Sequence, residues 1–443
     1  VDEDKEVALT VKLLVQDKAS NIKAELRGHS TILDIFYAPG HVPSPSSSSS
    51  ALANFIAVKL QELFAEEQAT IAHILSSNNF PVSGPSSTNA QGQWAQNSQV
   101  AASTSRDTRT KASRTPPTEL ADRLARRMAR SLKYAPIYHL TLSLFTPIAS
   151  PSGWDIENAL NEYVAPLLDW ISVISNFTVD TQVQLYATFS PSVQAPQYDS
   201  ELGVWTLREE DLSRFINAAE WPLSPSIGPG PTLHFIVYVP DPETSPLVVK
   251  GSRATSWLIP QWGSVFILNP QPETAGNLTV LTKEVLQPAL LTFSHQLLSF
   301  LGVPQSPPSL PLQLQTLTRV RAASLLLSAS STMGSLARLT VALPSIAIPE
   351  TVSTAVDTTI WQLRRTCDAL KNGRFTDALD HARIAEAEAE KGFFEKSMVG
   401  QVYFPDEHKV AVYLPLLGPV GVPLVMSALK EVKRLWLARK WAT

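Results

Sequence analysis

The sequence predicts an α/β fold: a layered domain with a mixed sheet flanked by helices, then a helical extension and a C-terminal transmembrane helix. Three observations predict this. Segments that alternate apolar and polar residues are interleaved with segments of helical period, which argues for strands and helices in layers. Beyond Pro311 the alternation stops and helix-favouring runs continue to Glu390. Residues 410–429, VAVYLPLLGPVGVPLVMSAL, contain no charge and lie near the end of the 443-residue chain.

Taken in order, 7–15 (VALTVKLLV) and 31–37 are β-rich and read as strands. PSPSSSSS at 43–50 is a low-complexity linker, and 55–75 has a helical pattern. Ser, Thr, Asn, Gln and Ala dominate 81–117, which reads as a long mobile loop by composition. Its basic residues Arg106, Arg109, Lys111 and Arg114 read as a solvated run. A helix resumes over 120–132. Leu140, Leu142 and Leu144 alternate with His139, Thr141 and Ser143, the mark of a half-buried strand. An amphipathic helix over 154–174 turns Ile156, Leu160, Tyr163, Val164, Leu167, Leu168 and Ile171 to one face. Val183, Leu185 and Ala187 alternate in the next strand. Residues 233–239 (LHFIVYV) are apolar on both faces and suit a central strand; 263–268 is another. Helices follow over 281–301, 312–339 and 352–390, with Gly373 separating two segments of the last.

The apolar segment 410–429 spans roughly 30 Å as a helix, the thickness of bilayer hydrocarbon. Lys430, Lys433, Arg434, Arg439 and Lys440 follow it, opposed by Glu431 alone. Short basic flanks stay cytoplasmic, so the tail is expected inside and the bulk of the chain outside or in a lumen. Two glycosylation sequons, at Asn176 and Asn277, agree with that side. The chain starts at Val1 without a leader, and a lumenal domain needs a route across the membrane. A trimmed N-terminus with a hydrophobic segment upstream is therefore expected. The expected division is 1–118, N-terminal part of the lumenal domain; 119–310, α/β lumenal core; 311–400, helical extension; 401–409, juxtamembrane segment; 410–429, transmembrane helix; 430–443, basic cytoplasmic tail.

Pro415, Pro419 and Pro423 recur every four residues and drift slowly around one helix face. Each removes a backbone donor, and in lipid the freed carbonyl is costly unless a neighbour satisfies it. Gly418 and Gly421 allow close backbone approach. These residues predict a kinked helix that meets other membrane helices.

A formal net charge of −4 and the lack of a basic stripe before residue 410 argue against nucleic acid. The single cysteine, Cys367, excludes an intrachain disulfide; its spacing from Ile360, Leu363 and Leu370 places it in a helix core. No HExxH, GxSxG, Walker loop or zinc-type cysteine pairing occurs. Gly228-Pro229-Gly230 reads as a turn. His139 and His234 lie in expected strands and could adjoin, yet read better as polar-face or core histidines. Glu209-Glu210-Asp211 and Asp155/Glu157 read as acidic first turns of helices. No catalytic, cofactor-binding or metal-binding residue is assigned.

Residues 402–409, VYFPDEHK, run into AVYLPL and the proline-rich helix in a way that resembles the PIG-S subunit family of the glycosylphosphatidylinositol (GPI) transamidase complex. Co-linear matches are Tyr138-His139-Leu140-Thr141, Trp154-Asp155-Ile156-Glu157, Asn176-Phe177-Thr178-Val179-Asp180, the 233–240 strand and Gln261-Trp262-Gly263. The resemblance covers roughly 119–435; residues 1–118 match weakly. It implies a subunit of the endoplasmic reticulum membrane with a helix at each end and a large lumenal domain between. It implies PIG-K, PIG-T, PIG-U and the GPAA subunit as partners, with the catalytic cysteine–histidine dyad on PIG-K. The expected role is thus a non-catalytic scaffold, without cofactor, in a complex that attaches GPI to the C-terminus of proproteins. Two alternatives stand beside it: a lumenal binding module for proprotein or glycolipid, and a membrane-anchored lumenal hydrolase using dispersed carboxylates.

Overall fold

The computed structural model describes residues 7–16, 21–42, 50–77, 118–187, 189, 193–215, 228–270, 279–344, 346–398 and 406–441. The expected loop at 81–117 and the sequon residue Asn277 lie outside them. The chain divides into two compact units, Glu6–Arg321 and a second that includes Ala322–Thr443.

The first unit opens with a small sheet of β1 (Thr10–Val15), β2 (Lys23–Leu26) and β3 (Ile32–Tyr37), in the order β1-β3-β2. Leu33 and Ile35 of β3 bury against Leu52, Phe55 and Ile56 of α1 (Ala51–Leu63). The Ser50 hydroxyl starts α1 by accepting from the Ala53 N–H at 3.1 Å, satisfying one of the orphan donors of the first turn. Phe64 ends α1, and α2 (Ala65–Ser77) follows, so the single helix expected at 55–75 is two. Then comes α3 (Thr118–Arg130).

The larger sheet is built from β4 (Ile137–Thr146), β6 (Asn176–Leu185), β9 (Thr232–Tyr238), β11 (Ser256–Ile259) and β12 (Gly263–Ile267). Between these run β5 (Gly153–Trp154), α4 (Ile156–Tyr163), α5 (Ala165–Ile171), β7 (Gln197–Asp199), β8 (Val204–Leu207) and β10 (Leu247–Val249). The order is β11-β12-β9-β4-β6; β12, β9, β4 and β6 are parallel and β11 is antiparallel, giving the mixed sheet expected. After β13 (Val280–Leu281), which pairs with β5, come α6 (Lys283–Phe300) and α7 (Leu310–Ala342), the latter with Pro311 in its first turn, where a missing N–H costs nothing.

Strand alternation sorts the two faces. Leu140, Leu142, Leu144, Leu233, Phe235 and Val237 bury under Ala159 of α4 and Leu286, Leu290 and Phe293 of α6. On the opposite face Phe145, Ile236, Tyr238, Val265 and Ile267 meet Leu207 of β8 and Leu247 of β10. The sheet is therefore a middle layer between helices and a second, three-stranded sheet, β10-β8-β7.

Two expected elements are redrawn. The helix expected over 154–174 breaks at Val164, because Pro166 has no N–H to bond back to Glu162; it instead sits in the first turn of α5. The strand expected around 183–187 begins at Asn176 and ends at Leu185, before Tyr186 turns left-handed at φ 56°.

In the second unit α8 (Glu350–Lys371) and α9 (Phe375–Phe393) form an antiparallel hairpin. The turn follows from Gly373, at φ 74°: its N–H bonds Leu370 O and the Arg374 N–H bonds Ala369 O at 2.9 Å, closing the last orphan carbonyls of α8. Ala378, Ala382, Ala385 and Ala389 are buried, so the α9 backbone can approach its neighbours closely. The facing stripe of α8 is Val352, Ala355, Thr359, Gln362, Thr366 and Ala369. Its threonines bury without loss, since Thr359 donates to Ala355 O at 2.7 Å and Thr366 to Gln362 O at 2.9 Å. This stripe corrects the expectation for Cys367, which is exposed. The face chosen from Ile360, Leu363 and Leu370 lies about 100° off the buried one per residue of error. Mostly small and hydroxyl side chains line the seam, with Leu363 partly buried against its alanines.

Candidate functional site

The C-terminal helix α10 (Asp406–Trp441) is 36 residues long. Its apolar stretch, Ala411–Trp436, has 26 residues, none buried within the structure. The helix continues through Lys430, Lys433 and Arg434, which extends it beyond residue 429, where the apolar run ends. Leu414, Leu416, Leu417, Val420, Val422, Leu424 and Val425 are all exposed. A bare apolar cylinder of this length is stable in a bilayer and not in water.

Pro415, Pro419 and Pro423 lie inside this helix. Counting back four residues, the carbonyls they leave without an intrahelical donor are those of Ala411, Pro415 and Pro419. Gly418 and Gly421 lie between, and a Cβ on either would meet nothing within 4 Å.

In the first unit, Asn176 is the first residue of β6 and is exposed. The sequon hydroxyl of Thr178 lies 2.6 Å from His139 Nδ1, while His139 Nε2 lies 3.3 Å from Pro229 O. Both ring nitrogens of His139 are thereby engaged. The Gly228-Pro229-Gly230 turn that supplies the carbonyl needs its glycines. Gly230 stands at φ 129°, and a Cβ there would collide with Ile137 O.

His139 and His234 do share a sheet face, but neither is the other's cross-strand partner: His139 pairs with Thr232, and His234 with Thr141. His234 lies against Trp262 with ring centroids 4.9 Å apart. Burial holds its imidazolium pKa below the usual 6.5. Among the described residues, His234 Nδ1 and Thr141 Oγ1 have no hydrogen-bond partner.

The acidic runs have structural roles. Glu209, Glu210 and Asp211 open a short 3-10 helix, Glu209–Arg214, and buried Asp211 is bridged by Arg208 at 2.7 Å. Asp155 precedes α4 and accepts from Asn158 Nδ2 at 2.8 Å. Two polar clusters were not legible from the sequence: Glu66 with Arg127, and Glu67 with Arg319. Their members lie 61 and 252 residues apart, beyond any local pattern.

A family model described as phosphatidylinositol-glycan biosynthesis class S protein, PIG-S, matches residues 1–437. The chain belongs to the PIG-S family. Among its relatives, the mouse protein named GPI-anchor transamidase component PIGS is 30% identical over 333 residues, covering 69% of this chain and 60% of the relative. The Schizosaccharomyces pombe GPI transamidase component PIG-S homolog is 32% identical over 327 residues, covering 70% and 56%. The Saccharomyces cerevisiae GPI transamidase component GPI17 is 28% identical over 331 residues, covering 68% and 59%. This PIG-S family member thus matches somewhat under two thirds of the length of these curated relatives.

Proposed function

We propose that this chain is a non-catalytic, membrane-anchored subunit of a GPI transamidase complex, and that it scaffolds the assembly. The observations that carry the reading are the family model over 1–437 and the relatives, matched over 69% and 70% of this chain, that are named as components of that transamidase. The exposed apolar helix supports the membrane half of the reading. We place the chain in the endoplasmic reticulum membrane, with its bulk lumenal, its 430–443 tail cytoplasmic, and PIG-K, PIG-T, PIG-U and the GPAA subunit as partners. Joining an extended peptide to a lipid head group requires both to be held at a catalytic site on the membrane surface. Positioning of that kind lowers a barrier by several kcal/mol, and a scaffold supplies it without reactive residues of its own.

Depletion of this chain tests the reading. The remaining subunits are expected to lose co-assembly, and a reporter proprotein to lose its GPI anchor. Intact assembly with full attachment would sink it. Glycans on Asn176 and Asn277 belong to the same proposal: glycosidase treatment of the native protein is expected to raise its mobility, and Asn176→Gln with Asn277→Gln to abolish the shift. Packing of α10 through Pro415, Gly418, Pro419, Gly421 and Pro423 is tested by changing the three prolines to leucine, which is expected to weaken retention of membrane partners.

A further inference from the structure

The larger sheet has two unlike edges. At one, β11 is four residues long and antiparallel. At the other, β6 is ten residues long and, among the described residues, pairs with β4 alone. Natural sheets protect an edge with short strands, lysine, proline, bulges or a covering element, because an open edge is a template for another strand. β6, NFTVDTQVQL, has no lysine, proline or glycine, and Asp180 is its one charge. A disruption comes only after its end, at Tyr186.

The hydrogen-bond phase shows which groups face outward. The Asn176 N–H bonds Pro136 O at 2.9 Å and sets the phase within β6; past the strand's end the left-handed Tyr186 shifts that phase by one residue, and the Ala187 N–H bonds Thr146 O at 2.9 Å. In a parallel pair the two groups of a residue point the same way and alternate residue by residue. Asn176, Thr178, Asp180, Gln182 and Gln184 therefore serve β4, and Phe177, Val179, Thr181, Val183 and Leu185 direct N–H and C=O away from it. No described strand takes them. Within the strand Val183 is 39% exposed, and directly after it Tyr186 is 68% exposed. Backbone donors and acceptors in register, flanked by exposed apolar side chains, have one complement: an extended polypeptide.

We infer that β6 is a docking edge that takes a strand from another protein of the assembly, adding a sixth strand to the sheet beside Phe177–Leu185 positions. The occupant is a protein because ladder pairing requires a peptide backbone. It is a different chain because the family's named members are components of a multi-component enzyme. The inference rests on the assembly reading above.

The test uses the tagged full-length chain in cells. Thr181→Pro removes an outward N–H while leaving the β4 ladder intact, a position where an edge strand tolerates proline. It is expected to keep wild-type thermal stability and to retain at least tenfold less co-purified partner. Asp180→Pro, one residue earlier, removes a bond to β4 and is expected to unfold the sheet. In the second arm a photo-crosslinking residue at position 181 is expected to yield an adduct with another subunit. Undiminished partner on a folded Thr181→Pro chain overturns the inference while leaving the assembly reading standing. If that variant unfolds, the crosslink decides: an adduct with a second copy of this chain, an intrachain adduct or none overturns it. Wild-type chain that retains no partner overturns both.

Discussion

Arg319 grips Glu67 with two parallel bonds, Nε to Oε1 and Nη2 to Oε2, both 2.6 Å long. The two side chains are 10% and 11% exposed. Thr316 adds a third bond to the carboxylate at 3.0 Å, and the Phe64 ring lies 5.7 Å from the guanidinium. The pair fastens α2 to the start of α7 within the first unit. Breaking a buried pair from one side strands a charge and costs roughly 3–5 kcal/mol. Glu67→Ala is expected to destabilise that unit by about 3 kcal/mol, with Glu67→Gln milder. Denaturant unfolding of the purified chain measures it; a loss well under about 1 kcal/mol would place the pair among surface bridges.

His234 predicts an acid limb in stability. Its folded pKa lies below the usual 6.5 because burial disfavours the cation. Above 6.5 both folded and unfolded states are neutral, and the group has no pH effect. As pH falls through 6.5 the unfolded chain takes up a proton that the folded one resists, so stability drops until the lower folded pKa is passed. Thermal unfolding between pH 7 and pH 5 is expected to show a shallower decline for His234→Gln. Identical slopes for the two proteins refute the assignment.

Gly263 opens β12 at φ 154°, and a Cβ there would run into the His234 carbonyl oxygen and stand 2.8 Å from its nitrogen. The pairing of β12 with β9 depends on that approach. Gly263→Ala combines a disfavoured backbone with a main-chain clash and is expected to cost about 3 kcal/mol. Gly28→Ala, where a Cβ meets nothing within 4 Å, is the control. Comparable unfolding midpoints for the two variants would show that the strand shifts at little cost.

Cys367 is exposed on α8. It is expected to react with a thiol reagent in the folded protein without denaturant, and Cys367→Ser is expected to change stability by less than about 0.5 kcal/mol. Protection of the thiol until unfolding would return it to the core.

Local order was legible because it is written in neighbouring residues. The period-two pattern of Leu140, Leu142 and Leu144, the apolar run at 233–239 and the glycine stop at 373 each act within one element. The site was partly legible for the same reason. An uncharged run with three prolines needs no tertiary context to be read, and Asn176 announces itself by its sequon. Its place at the head of an edge strand could not be read. Strand order depends on which distant segments pair, and nothing inside 176–185 says that β4 covers one side only.

By itself the sequence determined the apolar C-terminal helix, the alternation of strands and helices, and the turn chemistry at Gly373, since chain geometry and solvent preference act residue by residue. Tertiary structure decided which face of α8 is inside, which histidine keeps a free nitrogen, and how Glu67 meets Arg319 across 252 positions. Those outcomes depend on close packing and on pairing buried charges, and both are properties of surfaces brought together only when the chain folds.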